Sequence, residues 1–150
     1  DIVNPEPRPK VDEYPDYIFV VLKMLYPDGS AKIIREHVAM VLKQGRVFVY
    51  QEVEADVFEG VRVRIEKHSG RIRTRGSDYL LFALIDALID NYFLILEMID
   101  GQIDQLEAEI YSNPSAETAA KIQQLRKDVI TIRRWMAPGR APKPSSSASI

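Results

Sequence analysis

The chain has 150 residues, 46% hydrophobic and 28% charged, with a formal net charge of −2 and no cysteine. That length suffices for one domain with a modest core. The near-neutral balance gives no global pull toward nucleic acid or anionic lipid, and the lack of Cys excludes a disulfide framework and any thiolate metal site. The first residue is Asp and no apolar signal segment follows it, which reads as a fragment of a longer protein.

Residues 1–15, DIVNPEPRPKVDEYP, are rich in proline and charge and are expected to run extended, because proline fixes its own backbone and restricts the residue before it. The β-branched and aromatic run YIFVVLKMLY over 17–26 predicts a strand that ends at the turn composition Pro27-Asp28-Gly29-Ser30. Residues 36–52 alternate in two blocks around Gln44-Gly45, a hairpin signal in which Gly45 supplies a positive φ. Three antiparallel strands in a meander are the simplest account.

The period then changes. Asp56 is the expected cap of a helix whose Val57, Phe58, Val61 and Ile65 recur at helical spacing, with Gly70 past its end. A basic connector, GRIRTRGSD, leads to Ser77 or Asp78 as the next cap. From there Ile85, Ile89, Tyr92, Leu96, Ile99, Ile103, Leu106 and Ile110 step by four and three, a coiled-coil seam. Asn113-Pro114 announces a second helix carrying Ile122, Leu125, Val129, Ile132 and Met136. The short connection makes the two helices antiparallel. The expected fold class is α+β: a small antiparallel sheet with a covering helix over 1–76, a long antiparallel helical hairpin over 77–138, and a low-complexity, disordered tail over 139–150.

The hairpin's first helix is apolar enough to suggest a membrane span, yet it holds Asp86, Asp90 and Glu97 within 80–99 and no Lys or Arg beside them. An Asp at a helix centre costs roughly 2.5 to 3.5 kcal/mol on insertion scales, so a water-facing helix is the better account. For Asp100, Asp104 and Glu107 a solvated face complemented by Lys121, Arg126, Lys127, Arg133 and Arg134 explains the charge. Asp86 and Asp90 differ: four apart, they repel on one face unless a cation lies between them. A metal-ligand pair and a solvated pair both remain open, since oxygen-only sites have no strict sequence signature.

The basic residues Arg62, Arg64, Lys67, Arg71, Arg73 and Arg75 lack interleaved aromatics, and a solvated loop accounts for them better than a nucleic-acid groove. His37 and His68 have no His or Cys at ligand spacing. Trp135 and the helix methionines read as seam and core. There is no Gly-rich phosphate loop, nucleophile elbow or credible triad, and nothing asks for an enzyme.

The strings RPKVDEYPDYIFVVLKML, FVYQEVEADVFEGVRVRI and GRIRTRGSDYLLFALIDALIDNYFLILEMIDGQIDQLEAEI resemble, in order, the cytosolic domain of the CorA magnesium and cobalt transporters. The resemblance covers residues 1 to about 138 and implies part of an α/β/α cytosolic domain whose helical pair forms the two willow helices. It also implies a homopentamer of identical subunits at the cytoplasmic face of the cell membrane, joined to it by downstream helices, with Mg²⁺ or Co²⁺ as the ion and no nucleic-acid partner. The family's Gly-Met-Asn pore signature does not occur in this sequence, and after Pro138 the family's helix gives way to GRAPKPSSSASI.

The same resemblance implies the metal ligands. Asp1, followed by Ile2 and upstream of Arg8-Pro9-Lys10, falls on a family position that binds a divalent ion between subunits, although the Glu that precedes it in the family does not occur here. Asp86, the acid of the Leu-Ile-Asp-Ala-Leu string, falls on a second nearby position, with Asp90 one turn on. A related zinc or other divalent-cation subfamily, and a stand-alone helical-hairpin module with no metal role, are the alternatives.

Overall fold

The computed structural model describes residues 10–27, 29, 33–52, 54 and 57–136. Asp1, Asp28, Ser30, Asp56 and the tail over 139–150 lie outside these, and with them the expectations placed on them. The element order is β1 (Lys10–Glu13), β2 (Tyr17–Pro27), β3 (Ile33–Lys43), β4 (Arg46–Gln51), α1 (Glu59–Glu66), α2 (Ser77–Ser112) and α3 (Ala116–Met136). The chain forms two compact units, one running to Leu88 and one over Ile89–Ala137.

In the first unit the strands form an antiparallel meander in the order β1-β2-β3-β4. The sheet therefore has four strands where three were expected. The added strand is Lys10–Glu13, which pairs Lys10 with Val21 and Glu13 with Ile18. It escapes a periodicity reading because an edge strand tolerates charge and needs no strict alternation. The β3–β4 turn has Gln44 at φ 49° and Gly45 at φ 75°, so both central residues take the left-handed conformation of a type I′ turn.

Alternation along the strands puts Val20 and Met24 of β2 with Val38 and Met40 of β3 on one face, all at most 1% exposed. They share a core cluster with Phe58 and Val61 by α1, Ile72 of the connector, and Leu81, Ala83, Leu84 and Leu88 of α2. The opposite face carries Phe19, Val21, Leu25, Ala39, Val41, Phe48 and Tyr50 by the same alternation. The second face thus mixes these apolar residues with Lys23, Arg35, His37, Lys43 and Arg46.

Two helix starts differ from expectation. The residue before α1 is Phe58, which makes no side-chain cap bond, so the helix begins two residues after Val57 rather than directly after Asp56. Before α2 the turn is made by Gly76, whose φ of 92° suits glycine and whose carbonyl accepts from Leu80 N–H at 3.3 Å. Ser77 is thus already helical, and Asp78 lies in the first turn, where its charge complements the helix dipole.

The second unit is the helical hairpin. As α2 advances from Tyr92 to Glu107, the partners on α3 retreat from Trp135 to Arg126, which makes the helices antiparallel. The connection runs from Asn113 to Ser115, and Ser115 rather than Asn113 meets the start of α3, its Oγ 3.5 Å from Thr118 N. Tyr92, Ile95, Ile99, Ile122 and Ile132 are the buried residues here, while Leu96, Leu125, Val129 and Met136 are half-buried. Ile95 stands outside a heptad seam because a straight helix at 3.6 residues per turn drifts from a 3.5-residue repeat.

By length and composition alone α2 could cross a membrane. Part of its apolar surface is buried, Leu81, Leu84 and Leu88 in the sheet core and Tyr92, Ile95 and Ile99 in the hairpin, while Phe82, Phe93 and Leu94 are exposed.

Candidate metal centre

Among the described residues Glu107 is the acid of α2 recorded in an ion pair, while Asp86, Asp90, Asp100 and Asp104 are exposed with none recorded. Glu107 is paired: Arg126 Nη2 of α3 lies 2.6 Å from its Oε1. Glu97 and Asp100 border an open hollow of about 360 Å³ that they share with Phe93, Leu96, Arg133 and Met136. Arg133 lines the same hollow as both acids, and the charge complementarity expected between the helices is recorded at one pair, Glu107–Arg126. Phe93, 55% exposed between the acids, went unnoticed in the sequence; its place three residues after Asp90 and four before Glu97 was the available signal.

Asp86 and Asp90 are both exposed on α2, one helical turn apart. Among the described residues no ion pair or hydrogen bond is recorded for either. Like charges at this spacing destabilise a helix by about 0.2–0.5 kcal/mol. The pair is thus accessible, uncompensated and built of hard oxygen donors, the type that Mg²⁺ accepts. Among the described residues no group of three or more His, Cys, Asp or Glu is arranged to hold a metal. Asp1, the third expected ligand, lies outside the described residues.

Both histidines belong to the first unit. His37 is exposed on β3 opposite Lys23, and His68, at φ 54° just past α1, lies against Arg73. Trp135 packs its ring 6.3 Å from that of Tyr92, in agreement with a hairpin-core role.

Residues 1–141 match the family described as CorA-like Mg2+ transporter protein. The chain belongs to the CorA family. Over 139 residues it is 42% identical to the cobalt/magnesium transport protein CorA of Thermotoga maritima, covering 92% of this chain and 40% of that protein. It is 25% identical over 133 residues to the putative metal ion transporter YfjQ of Bacillus subtilis, covering 89% of this chain and 40% of that one. Against the magnesium transporter ALR1 of Saccharomyces cerevisiae identity is 24% over 142 residues, covering 91% of this chain and 16% of ALR1. This CorA-family chain thus spans about 40% of the length of the two bacterial relatives.

Proposed function

We propose that the chain is part of the cytosolic, Mg²⁺-sensing regulatory domain of a CorA-type divalent-cation transporter. The observation that carries this reading is the exposed, uncompensated Asp86/Asp90 pair on a helix whose later acid Glu107 has a cationic partner. The apolar residues on the sheet's second face support its place in an α/β/α layer, and the cobalt/magnesium and magnesium transport roles of the relatives support Mg²⁺ or Co²⁺ as the ion.

In this reading Asp86 and Asp90 of one subunit, with Asp1, meet carboxylates of an identical neighbour in a homopentamer at the cytoplasmic face of the membrane. Two carboxylates about 4 Å apart at an effective dielectric near 20 repel by about 4 kcal/mol. A bound Mg²⁺ reverses that sign. Each Asp contributes a hard anionic oxygen, and few such ligands suit an ion that keeps most of its waters and must leave when its concentration falls. Because the ion binds the closed assembly better than the open one, its loss shifts the population toward subunits free to move. The chain's own part is to present the acids on a helix anchored by Leu84 and Leu88 in the sheet core.

The test is Mg²⁺ flux through the full-length transporter in vesicles. Raising Mg²⁺ on the cytosolic side should shut the wild type, and Asp86→Ala combined with Asp1→Ala should keep it open at concentrations that close the wild type. Unchanged shut-off in the double variant would remove these residues from the sensor.

A further inference from the structure

The connector between α1 and α2 holds a cationic group that the metal reading does not use. Lys67, Arg71, Arg73 and Arg75 are exposed, with no acid in the sequence between Glu66 and Asp78. Among the described residues none of the four is recorded in an ion pair with a carboxylate. Uncompensated charge on a floppy loop would mean little, but this backbone is fixed. Ile72 is 5% exposed and belongs to the sheet core, pinning the segment between Arg71 and Arg73. The Arg71 carbonyl accepts from Thr74 N–H at 3.1 Å, from Arg75 N–H at 3.0 Å and from Thr74 Oγ1 at 3.2 Å. The guanidinium-bearing residues thus start from a closed turn.

A second feature points outward. Arg73 Nη1 lies 3.0 Å from Nδ1 and 2.9 Å from Nε2 of His68. A guanidinium only donates, and a neutral imidazole has one accepting nitrogen, so one of the two contacts lacks an acceptor. The Arg73 guanidinium therefore has no carboxylate recorded beside it and keeps N–H donors available to an anion.

We propose that this connector is a binding site for a phosphate-bearing anion, with Arg71, Arg73 and Arg75 as donors. Arg suits phosphate because its planar fork offers paired N–H groups in fixed geometry. A free polyphosphate and an anionic lipid headgroup present the same chemistry. The site is local, so the chain's net charge of −2 does not oppose it beyond about a Debye length of 8–10 Å.

The experiment titrates the chain with sodium tripolyphosphate by calorimetry, and separately with phosphatidylcholine vesicles with and without phosphatidylglycerol by co-sedimentation. Wild type should bind at least one probe saturably. Arg71→Glu/Arg73→Glu should weaken that binding roughly tenfold or more, as expected for lost charge-assisted contacts, while Arg133→Glu/Arg134→Glu on α3 should leave it within about twofold. Tripolyphosphate binding alone assigns a free anion, phosphatidylglycerol binding alone a headgroup, and binding of both assigns the shared phosphate chemistry. Arg75→Glu alone, beyond the pinned Ile72, serves as the second variant if the double one loses its far-ultraviolet circular dichroism. No binding of either probe by the folded wild type, or equal losses from the α3 pair, would overturn the proposal.

Discussion

Arg126 of α3 and Glu107 of α2 meet at 2.6 Å, joining the two helices well beyond the Tyr92–Trp135 contact, with the two side chains 60% and 47% exposed. An exposed pair of this kind typically contributes 0.2–1 kcal/mol, since water already solvates both ions. Glu107→Gln should therefore lower stability by less than about 1 kcal/mol in urea denaturation, and less still in high salt. A loss of several kcal/mol would mean that the pair is buried in solution.

The hairpin core is a sharper target. Ile99 is fully buried, whereas Leu96 is half-buried beside the open hollow. Ile99→Ala should cost about 2–5 kcal/mol, the range for a large-to-small change in a packed core, and Leu96→Ala clearly less because its site is already partly solvated. Denaturation midpoints in the reverse order would shift the seam toward Leu96 and the strict heptad.

Within the sheet, Tyr26 Oη donates to Glu36 Oε1 at 2.6 Å. That hydrogen bond first, then burial and the Glu36 charge, hold the phenol above its ordinary pKa. A raised folded pKa means the contribution is fully present below the unfolded value near 10 and is lost as pH rises through the folded value. In a spectrophotometric titration Tyr26 should ionise later than an unperturbed tyrosine. Tyr26→Phe should delete that late step and Glu36→Gln should bring it down. A late step that survives Tyr26→Phe belongs to another residue.

What the sequence disclosed depended on whether a signal was local. Strands β2, β3 and β4, the Gln44-Gly45 turn and the hairpin follow from period and turn chemistry, which neighbouring residues fix among themselves. Strand β1 did not, because Lys10, Asp12 and Glu13 acquire a strand conformation only by pairing with β2. The cap before α1 did not either, since Phe58 offers no side-chain oxygen to read. At the candidate site the one-face spacing of Asp86 and Asp90 was legible. That Glu107 faces a basic residue of the second helix was legible too; that the partner is Arg126 was not, because only the register of two packed helices brings them together.

The central claim is that Asp86 belongs to a metal site while Asp104 only solvates its helix. Limited proteolysis of the full-length assembly, with and without millimolar Mg²⁺, tests it most directly, because a ligand that prefers the closed state protects it by mass action. Asp1→Ala/Asp86→Ala should lose most of the Mg²⁺ protection, and Asp86→Asn, which keeps the shape and removes the charge, should lose it with Asp86→Ala. Asp104→Ala should be protected like wild type. Equal Mg²⁺ protection in all of these variants would contradict the sensor assignment and return Asp86 and Asp90 to an ordinary solvated face.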